Sequence, residues 1–231
     1  MTLQNFFTIR ADVKLSKQNK KYRDLQKITK DVNDELFLIY KNNQATLIEM
    51  TVRAGDELFS IYRSLDAALD AFQLLLISAK KYKVPLSIGC GFGRLDDESD
   101  NANLVNGVSI WRATEALEKV KRGLPKYNEK LEGNIGLKID FSNDKNINKL
   151  HQILFFLLSE KVLKRTKQQN KAVLLFKQHP QKEYHELYDL LTNYEDNTST
   201  KDEKRIKYSK FLQRAEYHIV NDLIDLIKNN F

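Results

Sequence analysis

Apolar and polar positions follow one rhythm up to about residue 142 and another after it. Phe6 to Asp12 is an apolar-rich run that reads as a buried strand. Lys20 to Tyr40 then carries Leu25, Ile28, Val32, Leu36 and Ile39 at spacings of three and four, which makes one face of a helix apolar. A hairpin follows. Thr46 to Val52 is rich in β-branched and apolar residues, Gly55 supplies the permissive turn, and Leu58 to Tyr62 returns. Ala67 to Lys81 is a second amphipathic helix, and Pro85 opens a strand from Leu86 to Gly93. Glycines 89, 91 and 93 alternate along that strand and leave one of its faces bare, ready for another backbone, a flat ligand or a tightly packed helix. After a polar acidic loop, Asp96 to Asn103, come a third helix, Gly107 to Val120, and a last strand, Gly136 to Phe141.

The order of the first six elements matches the split βαββαβ unit of ferredoxin-like folds, an antiparallel sheet covered by helices on one face. In such a unit the first and third strands are neighbours. Ser142 to Asn146 reads as a linker or helix cap, and everything beyond it is helical: Leu150 to Leu163, Lys167 to Gln178, Gln181 to Leu191, and a longer helix from Lys204 to Ile227 behind a polar loop, Tyr194 to Lys201. The expectation is therefore α/β (α+β), with a ferredoxin-like domain over residues 1–142 and an all-helical domain over 143–231.

At 231 residues the chain is long enough to bury a substantial core. No apolar run approaches the roughly 20 residues that cross a bilayer, and the first residues have no signal-peptide pattern, so the expectation is a cytoplasmic protein without a membrane partner. A single cysteine, Cys90, suits a reducing compartment and reads as space-filling in a strand. The net charge of +7 is compatible with a polyanionic partner without requiring one, because lysine runs such as Lys17 to Lys30 and Lys161 to Lys171 read as solvated helix faces. His151, His179, His185 and His218 have no zinc-ligand spacing. Trp111 could stack on a base, although a lone tryptophan in an amphipathic helix is more often core.

The candidate chemistry lies in the acidic turn Gly55-Asp56-Glu57 and in Asp12 at the end of the first strand. Two carboxylates at the ends of neighbouring strands can hold a hard divalent cation such as Mg²⁺ against a phosphate. Either acid could equally serve only to cap a turn.

Four segments in series carry a likeness to a known family: Ala11-Asp12-Val13-Lys14-Leu15-Ser16-Lys17, Gly55-Asp56-Glu57-Leu58, Ser87 to Gly93, and Asn106-Gly107 to Leu117. With Thr166 to Gln169 and Tyr208 to Ala215, they resemble the SatD family of bacterial proteins across most of the chain. The N-terminal part is in turn similar to the palm-type core shared by GGDEF diguanylate cyclases and class III nucleotide cyclases. That likeness implies Mg²⁺ held by Asp12 and Asp56, with Glu57 as a third ligand or base, so that Asp12, Asp56 and Glu57 form the catalytic set of a nucleotide cyclase or nucleotidyltransferase. Ser16 and Lys17 would meet the phosphates, and Arg53 or Arg112 the pyrophosphate. A nucleotide ligand is implied, and a homodimer is left open. This chain departs from the family at Ala11, Leu58, Phe59 and Asn106, where glycine, phenylalanine, glutamine and aspartate are usual.

The C-terminal likeness is to a helix-turn-helix region, which implies a second reading. Here the protein is a DNA-binding transcriptional regulator with a degenerate cyclase-like sensor or dimerisation domain, and Lys204, Arg205, Lys207, Tyr208, Lys210 and Arg214 contact DNA. The Tyr194 to Lys201 loop is longer than the three or four residues usual for that motif.

Overall fold

The computed structural model describes residues 4–14, 22–41, 44–123 and 131–231. Strand β1 (Phe6–Val13) is central in a five-stranded sheet. On one side it pairs antiparallel with β3 (Glu57–Tyr62), which is joined in turn to β2 (Thr46–Arg53). On the other side it pairs antiparallel with β4 (Leu86–Gly93), and β7 (Gly136–Asp140) closes the sheet parallel to β4. The first and third strands are therefore adjacent, as the element order implies. The sheet is mixed, because β7 is reached from β4 through a helical crossover, the connection that parallel neighbours require. A separate two-stranded ribbon, β5 (Leu95–Asp97) with β6 (Asn106–Gly107), brackets most of the acidic loop.

Period-two alternation divides β1 cleanly. Phe7, Ile9, Ala11 and Val13 enter the main core, where they meet Leu25, Ile28, Val32 and Leu36 of helix α1 (Tyr22–Tyr40) and the apolar side of helix α2 (Leu65–Tyr82). The Ser64 side chain caps α2 by accepting from the Ala67 amide, and Lys83 ends it in a left-handed conformation that returns its amide to the Ala79 and Lys80 carbonyls. Thr8, Arg10 and Asp12 point to the other face, which helix α3 (Val108–Arg122) covers. Helices therefore lie on both faces of the sheet, where the sequence pattern suggested one.

The bare face of β4 explains how α3 comes so close. A Cβ at Gly89 would sit 2.4 Å from the Ala113 carbonyl oxygen and the Leu117 amide nitrogen, and one at Gly91 would sit 2.1 Å from the Ser109 oxygen. Of the three occupants open to that face, the packed helix is the one found.

Asp144 caps helix α4 (Lys145–Lys164) through the Asn146 amide, and Leu154, Phe155, Leu158 and Val162 of this helix join the main core. The boundary expected at residue 142 thus crosses a shared interior. Helices α5 (Lys167–Gln178), α6 (Tyr184–Leu191) and α7 (Lys201–Arg214) build a second core around Ala172, Leu187, Tyr208 and Leu212. Helix α8 (Tyr217–Lys228) then returns Val220 and Ile227 to the first core. The single helix expected from Lys204 to Ile227 is two. Tyr208 and Leu212 serve one core and Val220 and Ile227 the other, and the chain turns between them at Glu216, whose φ is 50°. Among the described residues no helix is long and apolar enough to cross a membrane.

Candidate functional site

The acidic turn is built by backbone geometry. Ala54 and Gly55 both take positive φ, 49° and 89°, which suits a tight connection between twisted strands. A Cβ at Gly55 would meet nothing within 4 Å, so glycine serves conformation there and not space. The Asp56 carbonyl accepts a hydrogen bond from the Val13 amide at 3.3 Å, which ties the turn to the end of β1.

Register then decides which acids meet. Asp12 is opposite Glu57, and Arg10 is opposite Phe59. Arg10 Nε and Nη2 donate to the two Glu57 carboxylate oxygens at 2.9 and 2.7 Å, a bidentate pair, while its Nη1 donates to Thr114 Oγ1 on α3. Lys121, near the end of α3, places Nζ 2.6 Å from Asp12 Oδ2. Asp12 Oδ1 is buried and has no hydrogen-bond partner. The Asp56 carboxylate is half-buried and has no ion pair or side-chain hydrogen bond among the described residues.

Basic groups gather on the same sheet face. Lys138 is opposite Gly89, and both burial and the neighbouring Lys119 hold its pKa below the usual lysine range. Burial lowers Lys14 as well, where it donates to Asn134 Oδ1 at 3.1 Å. Lys119 reaches Asp140 Oδ2 at 3.4 Å and Glu115 at 2.9 Å. An anion arriving here would meet lysines whose protonated forms it would favour.

The other residues implicated by sequence are placed elsewhere. Arg53 lies over the Phe59 ring, 4.5 Å from its centroid, and Phe59 is fully buried. Arg112 donates from Nη1 to the Phe92 and Phe141 carbonyls at 2.8 and 2.6 Å and from Nη2 to Asn143 at 2.8 Å, clamping the ends of β4 and β7. Phe92 is opposite Phe7 whereas Ser87 is opposite Asp12, so Arg112 sits roughly 17 Å along the strand from Asp12 at about 3.4 Å per residue. Ser16 and Lys17 lie outside the described residues. Trp111 is 54% exposed and donates its indole N–H to Asn106 Oδ1 at 2.7 Å, so it belongs to the surface and not to the core.

The basic set of α7 is partly neutralised within the chain. Lys204 pairs with Asp189 at 2.6 Å, and Lys207 pairs with Asp196 at 3.0 Å. Tyr208 is buried and donates to the Ala172 carbonyl at 2.6 Å. Arg205, Lys210 and Arg214 remain exposed.

Several buried polar groups were missed in the sequence, and no local pattern marks them. Asp70 on α2 accepts from Tyr40 at 3.0 Å and from Lys177 of α5. His151 is buried against Phe141 and Phe231, its ring 5.2 and 4.7 Å from theirs. Burial pushes the Cys90 thiol far up in pKa, which leaves it an inert filler as its strand position suggested.

Among the described residues, no group of three or more His, Cys, Asp or Glu side chains is arranged to hold a metal ion. What suits a divalent cation is narrower: the unpartnered, buried Asp12 Oδ1 beside the Asp56 turn. No family model matches the chain, and no curated protein matches it.

Proposed function

We propose that this is a metal-dependent nucleotide-binding protein of palm type, with the nucleotide phosphates held at the end of β1 beside the acidic turn. The observation that carries the reading is Asp12 Oδ1, a buried carboxylate oxygen without a hydrogen-bond donor at the edge of a lysine-rich face. Such an oxygen is costly to bury unless a cation completes it. Asp12 and Asp56 would hold Mg²⁺, which when bound neutralises phosphate charge and fixes its position. Lys121, already against Asp12, and Lys138 supply positive charge on the same face. The strand order β2-β3-β1-β4 supports the ferredoxin-like component of this reading.

The reading is of binding and not of turnover. Arg10 occupies both oxygens of Glu57, which leaves that acid poorly placed as a base, and Arg112 spends its donors on backbone carbonyls and Asn143 far from the acids. Titration calorimetry with nucleoside triphosphates, with Mg²⁺ and with chelator, tests it. Wild type should bind only with the metal, and Asp12→Asn and Asp56→Ala should each weaken binding by about tenfold or more, the scale of one lost charged contact. The absence of any metal-dependent binding by wild type, or unchanged binding in both variants, would overturn the reading.

A further inference from the structure

Helix α4 carries more apolar side chains than one core can take. Ile153 to Leu158 is an unbroken apolar run, whereas a helix that faces one core needs an apolar stripe only about 100° wide. His151, Leu154, Phe155 and Leu158 are buried. Ile147, Leu150 and Ile153, spaced by three, are left at the surface, 38–42% exposed, with Leu157 half-buried beside them. Helix α8 runs antiparallel alongside: Lys161 meets Glu216 at 2.9 Å just before α8 begins, and the His151 ring lies 4.7 Å from that of Phe231 beyond its end. It repeats the pattern. Val220 and Ile227 are buried, while Ile219 and Leu226 are 47% and 51% exposed.

Helix geometry joins these positions into one surface. At about 100° per residue, Leu150, Ile153 and Leu157 fall within an arc of about 60° on α4, and Ile219, Leu223 and Leu226 within an arc of about 60° on α8. Lys161 and Glu216 lie just beyond the two arcs, on the sides where the helices meet, so both arcs flank one crevice on the outside of the molecule. The antiparallel register sets Ile153 level with Leu226 to within about one turn. At roughly 80 Å² apiece, the five exposed side chains present about 400 Å² of apolar surface, the size at which such a surface on a soluble protein is an interaction site. A standard dimer buries about 800 Å² per partner, a little over half of it apolar, so this surface supplies the apolar centre of one such contact. Its rim carries both signs. Lys145 and Lys149 on α4 and Asp222 on α8 form no ion pair among the described residues.

We propose that the α4–α8 surface is where two copies of this chain meet across a two-fold axis, each helix pair completing a four-helix layer with the other. An axis crossing the helices near Ile153 stacks α4 antiparallel on its copy. That arrangement sets Lys149 of each copy against Glu160 of the other, so the basic start of one α4 faces the acid near the end of the second. An anionic lipid surface suits the patch less well, because Asp222 and Asp225 stand exposed on α8 and would be repelled. The patch is on the face of the sheet opposite α3, whereas Asp12 is on the α3 side. Both acid ends therefore stay open in the dimer, and the proposal does not rest on nucleotide binding.

Sedimentation equilibrium of the full chain over a range of concentrations tests the proposal. Wild type should pass from monomer to dimer in the micromolar range, the weak end for an interface of standard size. Ile153→Glu and Leu226→Lys each enter a two-fold contact twice and should each raise the dissociation constant about 100-fold or more. Both side chains already face solvent in the single chain, so the circular dichroism of each variant should match wild type. Leu104→Lys is the control: Leu104 is 69% exposed and adjoins Val105, which packs with Phe6 and Phe59 on the α3 side of the sheet, so the dimer should persist. A wild-type chain that stays monomeric at about 100 μM, dimers that survive both Ile153→Glu and Leu226→Lys, or a monomer that instead floats with vesicles of phosphatidylcholine and phosphatidylglycerol would overturn the proposal.

Discussion

Replacing Gly91 by alanine tests the packing on which the acid end depends. The new Cβ would lie 2.1 Å from the Ser109 oxygen, 2.4 Å from the Ala113 nitrogen and 3.0 Å from the Arg112 Cβ. The two nearest atoms are backbone, so no rotamer change relieves the contact, and α3 must retreat from the sheet by about an ångström to restore ordinary separation. Retreat strains the Thr8 to Ser109 hydrogen bond at 2.9 Å and the Arg112 clamp on the Phe92 and Phe141 carbonyls. Overpacking costs about 1–3 kcal/mol and each weakened hydrogen bond about 1 kcal/mol, while alanine in a strand recovers about 0.5–1 kcal/mol over glycine. The net expectation is a loss of about 2–4 kcal/mol, read from urea unfolding followed by circular dichroism as a lower midpoint with an unchanged slope. Gly55→Ala is the control: nothing lies within 4 Å of its Cβ, and only the φ of 89° is unfavourable, which costs about 1–2 kcal/mol. A Gly91→Ala protein within about 1 kcal/mol of wild type would refute the close-approach reasoning.

Arg10→Met should cost about 2–3 kcal/mol by leaving Glu57 without its bidentate partner, whereas Arg10→Met with Glu57→Met should cost less than either single change implies, in a double-mutant cycle by chemical denaturation. Burial lowers the His151 pKa from its ordinary 6.5, so the unfolded chain binds the extra proton first. Stability attributable to this residue is then full above about pH 6.5 and falls as pH drops through the folded value; His151→Phe should flatten that slope below about pH 6.5. The Cys90 thiol should react with a disulfide reagent only after denaturant is added, and fast labelling of the native protein would contradict its burial. Tyr208→Phe removes the hydrogen bond to Ala172 and should cost about 1–2 kcal/mol, measured by urea unfolding.

Local periodicity was legible wherever one element faces one core. The α1 stripe of Leu25, Ile28, Val32 and Leu36 is buried as its spacing indicates, and the Thr46 to Tyr62 hairpin forms around Gly55. It misled where an apolar stripe changes sides. From Tyr208 to Ile227 the helical spacing continues, yet it serves two cores, and the left-handed break at Glu216 has no glycine or proline to announce it. The candidate acids were visible as residues, but their partners were not. Arg10 meets Glu57 from 47 positions away, and Lys177 meets Asp70 from 107. Such pairs are fixed by strand register and helix packing, and a sequence window contains neither.

The chain leaves the first core after α4 and comes back to it at α8, and its outgoing and returning strands are clasped where they pass. Arg165 Nε bonds the Ala215 carbonyl at 2.9 Å, Lys161 meets Glu216 at 2.9 Å, and Gln169 donates to the Arg214 carbonyl at 3.1 Å. In topological terms residues 165–215 are an insertion between two elements of one continuous body, with entry and exit points side by side. Closing such an insertion takes a short bridge across the clasp, but it also gives up the contacts α5 makes with the first body, the Lys177 pair with Asp70 and the Gln178 bond to Glu35, so a different unit spliced at the same two points has to replace them.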